Sequence, residues 1–167
     1  MKKELLLGNE KFLNSFKNKE LLKALVQGQH PKAIVITCSD SRVIPEEIFS
    51  QTFGDLFVIR TAGNVTNEGE LASIEYGIEH LRCSLVVVMG HTHCGAIHAS
   101  IHNAKGLYLD PILNRIKKNI ADIQDEREAS KINALKEVDC IKKMFPNYQG
   151  EVIATLYDLE TNKVEEI

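Results

Sequence analysis

A chain of 167 residues is long enough for one domain with a real core, and 44% apolar with 26% charged residues is ordinary for a globular protein. The net charge of −3 leaves no basic footprint for nucleic acid, because the Lys-rich pieces are balanced by nearby Glu and Asp. No apolar run approaches the about 18 residues a membrane helix needs, so no membrane partner is expected either. The opening MKKELLLGNE has an apolar core too short for a secretion signal and no small-residue cleavage site. The expected compartment is the cytoplasm, where Cys38, Cys83, Cys94 and Cys140 stay mostly reduced, so that metal binding or catalysis is expected ahead of disulfides.

Apolar residues in ELLLGNEKFLNSFKNKELLKALVQG recur at helical spacing and predict one N-terminal helix over about residues 3–27. KAIVIT is short, β-branched and apolar, the pattern of a strand buried on both faces. PEEIFSQ starts with Pro and two acids, a good first helical turn. DLFVIR reads as a second strand running into the turn-prone TAGN. EGELASIEYGIEHL predicts a helix, SLVVVMG a third buried strand, and CGAIHASIHNA a helix opening at that strand's end. DPILNRIKKNIADIQDE and SKINALKEVDCIKKM are amphipathic helices, and EVIATLYDLETNKVEEI is strand, turn and short returning strand. Strands alternating with helices predict an α/β fold, a mostly parallel central β-sheet flanked by helices, in a single domain over residues 1–167. In such sheets the working residues gather at the carboxyl ends of strands.

Two motifs stand at such ends. In ITCSDSRV, Cys38, Asp40 and Arg42 occupy alternate positions, so an extended segment puts a thiol, a carboxylate and a guanidinium on one face. In MGHTHCGA, His91 and Cys94 form an H-x-x-C pair, with Gly90 and Gly95 letting the backbone turn sharply beside them. Cys38, His91 and Cys94 together are soft and borderline donors that favour Zn²⁺ and leave a fourth position for water, as catalytic zinc sites do. A phosphatase-like use of Cys38 loses, because C-x-x-x-R is too short to cradle a phosphate and its Asp would repel one. Thioredoxin-like chemistry wants a C-x-x-C, which the chain lacks.

The remaining cysteines and histidines read more plainly. Cys83 and Cys140 are expected to fill core space, and His30 and His80 to lie at the surface or its boundary. His93 is expected to face solvent or back the ligands rather than join them. His98 and His102 stand four residues apart on one helix face; with no third ligand evident nearby, they read as a solvated face, with a proton relay as the weaker alternative.

CSDSR followed by HTHCG resembles the C-x-D-x-R and H-x-x-C pair of the β-class carbonic anhydrases. RVIPEEIF, GDLFVIRTAGN, LASIEYGIEHL and VVVMGHTHCGAIHA are similar to further family segments, as are GNEKF and YDLETNKV, so the similarity spans residues 8–165. The resemblance implies a β-carbonic anhydrase-like fold, one Zn²⁺ per chain, and reversible hydration of CO₂ to bicarbonate and a proton. It also implies a homodimer or assembly of dimers, with active sites at the subunit interface. Residue by residue, Cys38, His91 and Cys94 match the zinc ligands, and Asp40 and Arg42 the catalytic dyad. Gln29 matches a substrate-orienting glutamine of the plant-like subgroup. Phe57, Ala62 and Tyr76 fall where that subgroup lines its apolar substrate pocket, and Gly95 where a backbone N–H faces substrate. Val35 replaces the Trp of the bicarbonate-regulated subgroup, and Thr61 an Asn commoner in the family.

Two thiolates cancel zinc's formal charge, so such a centre acidifies water less than an all-histidine one. Asp40 answers that handicap by accepting a hydrogen bond from the activated water, while Arg42 holds the carboxylate bidentately, lowers its pKa and competes with the metal for it. An Asp40 that swung onto the metal would become a fourth ligand and close the site. Gln29 and the Gly95 amide can donate to substrate oxygens. Two other readings stay open: CS₂ or COS hydrolysis on the same scaffold, which pocket access would decide, and a non-catalytic zinc-binding regulator, which would have no use for Asp40, Arg42 and Gln29.

Overall fold

The apolar run AIVITC becomes β1 (Ala33–Cys38), buried at every position because it lies inside the sheet. The computed structural model describes residues 1–167. Strand β1 pairs in parallel with β2 (Leu56–Thr61) on one side and with β3 (Leu85–His91) on the other. Next to β3 comes β4 (Glu151–Tyr157), also parallel, and β5 (Val164–Glu166) returns antiparallel at the edge. The order is therefore β2-β1-β3-β4-β5, the mostly parallel α/β sheet that the alternation of elements predicts.

Even-numbered side chains of β1 and odd-numbered ones enter different cores, as pleating requires. Ile34 and Ile36 pack with Ile74 and Ile78 of α4 (Glu68–Glu79) and with Ala134, Val138 and Ile141 of α7 (Glu126–Met144). Val35 instead joins Val43, Val87, Met89 and Tyr157, partly covered by Ile48 of the short α3 (Pro45–Ile48) and by Phe49. A third cluster lies past the carboxyl ends of the strands. There Cys38 and Cys94 meet Val65, Ile97 of α5 (Gly95–Ile101), and Ile116 and Ile120 of α6 (Asp110–Ile120).

The expected single N-terminal helix is instead two, α1 (Lys2–Ser15) and α2 (Lys19–Gln27). Phe16 is extended at φ −75°, ψ 108°, and the Asn18 side chain accepts the Leu21 N–H at 3.0 Å to start the second helix. Asn is better used as a cap than inside a helix. The break also sets Phe12 and Phe16 edge-on to Phe53, with centroids 5.6 and 5.4 Å apart. Further along, Asp125 caps α7 by accepting the Glu128 N–H, so that helix begins at Glu126, before the SKINALKEVDCIKKM stretch in which the pattern places it.

The topology makes a crevice. From adjacent carboxyl ends, β1 leads towards β2 on one side and β3 towards β4 on the other, so their loops diverge. Cys38 ends β1, and His91 ends β3, beside that opening.

Candidate metal centre

The strand stops at Cys38, so the shared face of an extended CSDSR is not how the motif is built. Residues 39–42 turn instead, with the Val43 N–H donating to the Asp40 carbonyl at 3.1 Å. The Arg42 amide donates to Asp40 Oδ1 at 3.0 Å, which folds the side chain back on the carboxylate. Arg42 Nε then reaches Oδ1 at 2.9 Å and Nη2 reaches Oδ2 at 2.8 Å, a bidentate clamp of fixed direction. The same Nη2 donates to the His93 carbonyl at 3.0 Å, tying the two motifs together. Arg60, from the neighbouring strand, pins the turn by donating to the Cys38 and Asp40 carbonyls at 3.1 and 2.6 Å.

His91 is fully buried, and its Nδ1 lies 2.9 Å from the Thr92 carbonyl. A carbonyl only accepts, so Nδ1 carries the proton and Nε2 is left as a buried lone pair with no partner in the protein. Cys38 Sγ and Cys94 Sγ, both buried, stand 3.9 Å apart, far beyond the about 2.05 Å of a disulfide. Two thiolates on a tetrahedral zinc with about 2.3 Å bonds would be ~3.8 Å apart. The ligating atoms of Cys38, His91 and Cys94 all lie within 4.8 Å of one another. An unpartnered imidazole nitrogen facing two buried thiols is a poor arrangement for packing and a good one for a thiophilic metal.

The electrostatics favour an anionic cluster. The contact with the Cys94 sulfur pulls the Cys38 thiol well below its ordinary range; burial opposes this, while the Gly63 N–H at 3.3 Å assists. The Cys94 thiol is pushed up by the same contact and by burial. Arg42 holds the Asp40 carboxyl far below the usual carboxylate range. Asp40 Oδ2 is 3.9 Å from His91 Nε2, so the carboxylate overhangs the cluster while Arg42 grips it.

Two further residues singled out in the sequence lie close by. Ala62 opens a tight turn over Ala62–Asn64, next to the Gly63 amide that meets Cys38. Gly95 is exposed at the first position of α5, and a Cβ there would meet open space. Gln29, Phe57 and Tyr76 are not brought to the cluster within one chain. Gln29 is exposed ahead of β1, whose length of about 17 Å separates it from Cys38. Phe57 pairs in register with Ile34, four positions before Cys38, and packs 6.1 Å from Tyr76.

Other expectations can be placed as directly. Cys83 is core, and His30, His80 and His93 are exposed, His93 against Glu160. His98 and His102 do have a third group beside them, since Glu126 Oε1 approaches His98 Nδ1 to 2.6 Å across 28 residues of chain. Arg60, Gly63, Asn133 and Glu137 support the site without a motif to announce them. Asn133 Nδ2 donates to the Gly63 carbonyl at 2.8 Å, and Glu137 is fully buried against Arg115, Asn119 and Thr66.

A family model described as carbonic anhydrase matches residues 33–164. Carbonic anhydrase 2 of Mycobacterium tuberculosis is 37% identical over 123 residues, 68% of this chain. The chain spans 59% of that relative's length. The structure of the β-carbonic anhydrase CcaA superimposes with a TM-score of 0.84 at 28% identity, over 98% of this chain and 93% of that one. Tetrameric β-carbonic anhydrases from the ascomycete Sordaria macrospora give a TM-score of 0.80 at 25% identity, over 99% of this chain and 96% of theirs.

Proposed function

The chain belongs to the β-carbonic anhydrase family, and from that membership we propose that it binds one zinc ion and catalyses the reversible hydration of CO₂ to bicarbonate and a proton. The observation that carries this reading is the buried, unpartnered Nε2 of His91, facing two buried thiols with a clamped carboxylate 3.9 Å away. A structural metal site would have no use for the Asp40–Arg42 clamp.

Cys38, His91 and Cys94 hold the ion in this proposal, and zinc there supplies a Lewis acid that lowers the pKa of water towards ~7. Asp40 Oδ1 already receives two hydrogen bonds from Arg42, and Oδ2 receives one, which leaves Oδ2 free to accept another on the side facing His91. There it takes the hydrogen bond of the attacking water and aims the oxygen's lone pair at CO₂. Arg42 keeps that carboxylate ionised and holds it off the cluster. The Gly95 amide, at the open start of α5, donates to a substrate oxygen.

Gln29 ahead of β1, Phe57 early on β2 and Tyr76 on α4 lie too far from the cluster of their own chain to serve it. The proposal therefore includes a homodimer or assembly of dimers in which a second copy brings them to it, Gln29 to orient CO₂ and the aromatics, with Ala62, to wall the pocket. The tetrameric Sordaria enzymes support an assembly of this kind. Assignment to the plant-like subgroup and a reducing, cytoplasmic setting for the buried thiols belong to the same proposal.

Stopped-flow CO₂ hydration on protein with one zinc per chain tests the activity; no hydration across about pH 7 to 9, where such a site operates, overturns it. COS and CS₂ assayed beside CO₂ decide between substrates. Mixed dimers of Cys38→Ser and Gln29→Ala chains test the shared site. They regain activity that neither parent has if Gln29 acts across the interface, and regain none if it acts within its own chain.

A further inference from the structure

A second group of metal-ligating side chains sits beside the first. At the end of α5, His98 and His102 face each other with ring centroids 4.2 Å apart, as residues one turn apart on a helix face do. Glu126, at the start of α7, brings Oε1 to 2.6 Å from His98 Nδ1. The ligating atoms of all three lie within 4.8 Å of one another. We propose that His98, His102 and Glu126 form a second metal site, taking a divalent transition ion such as Zn²⁺ or Ni²⁺, distinct from the Cys38–His91–Cys94 cluster.

The donor set decides the class of ion. Two imidazoles and one carboxylate suit Zn²⁺, Ni²⁺ or Cu²⁺, whereas Mg²⁺ and Ca²⁺ ask for oxygen ligands. The helices favour the charges required. The carbonyl end of α5 attracts a cation, and the first turn of the 19-residue α7 stabilises the Glu126 carboxylate. Nearby cations are engaged elsewhere: Arg127 with Asp158 and Glu165, and Lys117 with Asn103. The only ionic partner of Glu126 is His98. Asp125 is occupied capping α7.

The site is also reachable. The His98 side chain is 58% exposed, and Glu126 lines a polar cleft of about 470 Å³ shared with Thr92, His93 and Asp125. Water can fill the remaining coordination positions. An ion bound there would tie α5, which Cys94 precedes as its N-cap, to the start of α7, so it would stabilise that corner of the fold without entering the hydration chemistry.

The test uses tag-free protein already carrying one zinc per chain, titrated with Ni²⁺ by equilibrium dialysis with metal analysis and by thermal melting. Wild type is expected to take up one further equivalent and to melt at a higher temperature with Ni²⁺ present. The His98→Gln/His102→Gln double variant is expected to do neither. Glu126→Gln is expected to weaken the second equivalent, because it exchanges a charged carboxylate ligand for a neutral amide. All the substituted side chains are at least partly exposed, and circular dichroism confirms the fold of each variant. A wild type that stops at one metal, or a double variant that binds the second ion as well as wild type, overturns the proposal. CO₂ hydration measured on the same samples keeps this result separate from the function of the first cluster.

Discussion

The backbone N–H of Gly63 donates to Cys38 Sγ from 3.3 Å, across 25 residues of chain. The bond depends on a backbone that few residues can adopt, since Gly63 has φ 69°, in the left-handed region. Its carbonyl is held from the other side by Asn133, and a Cβ at position 63 would stand 2.6 Å from Ile116 Cδ1. A sulfur of the candidate metal cluster is thus oriented by a turn that is itself clamped by a helix from the far end of the chain.

Gly63→Ala should therefore cost about 1–3 kcal/mol of stability, from strain at φ 69° and the clash with Ile116. It should also loosen zinc. Urea denaturation measures the first effect and chelator competition the second; unchanged metal affinity would separate the turn from the metal centre.

On the proposed function, Asp40→Ala should still bind zinc, because Asp40 is not among the three clustered candidate ligands, yet lose roughly 10²–10⁴-fold in kcat/KM for CO₂ hydration. Arg42→Ala should fall in the same direction, since it frees the carboxylate to turn towards His91 Nε2. Metal analysis beside stopped-flow assays checks both. Wild-type turnover in Asp40→Ala would remove the carboxylate from the mechanism.

Glu137 is fully buried and receives Arg115 through both oxygens, at 2.7 and 3.0 Å, along with Asn119 and Thr66. Glu137→Gln leaves the Arg115 charge without its partner and should destabilise the fold by about 3–5 kcal/mol. Adding Arg115→Met should recover part of that loss, because the unpaired charge goes with it. Denaturant midpoints of the two single variants and the double variant read the coupling directly.

Stripping zinc should lower the melting temperature, because an ion bound only by the folded chain stabilises it by mass action, about 4 kcal/mol at 1,000 times Kd. His91→Ala should abolish both the ion and its effect. A chelator that leaves the wild-type melt unmoved would mean that the Cys38–His91–Cys94 cluster holds no ion to remove.

Arg127 beside Asp158 lowers that carboxyl from its ordinary 3.8 to about 2, helped by the amides of Glu160 and Thr161. The folded value lies below the unfolded one, so the stabilisation is fully present above about pH 4 and is lost as pH falls through about 2. Asp158→Asn should be less stable than wild type at neutral pH and should converge with it near pH 2. Acid unfolding followed by circular dichroism tests this, and parallel curves for the two proteins would rule it out.

Much was legible in the linear chain because its signals are local. The buried β-branched runs became β1 and β3, and strand–helix alternation placed Cys38 and His91 at carboxyl ends of neighbouring strands. The spacing of HTHC marked where β3 gives way to α5. The single N-terminal helix failed because hydrophobic periodicity runs through Phe16 without registering that Asn18 is better used as a cap. The shared face of CSDSR failed because alternation holds only while the strand continues, and β1 stops at Cys38.

Residue types and spacing by themselves determined that two thiols and an imidazole stand at strand ends, with an acid and an arginine close behind the first thiol. Everything that depends on groups far apart in the chain was decided by the tertiary structure: the 3.9 Å between the two sulfurs, the orphaned Nε2 of His91, the Gly63 amide on Cys38 and the Glu126 carboxylate beside His98. The physical reason is that a side chain's chemistry belongs to its residue, whereas its partners depend on which segments the sheet order and helix packing bring within hydrogen-bonding distance. CSDSR supplied the acid and the arginine, but the turn after Cys38 closed one upon the other.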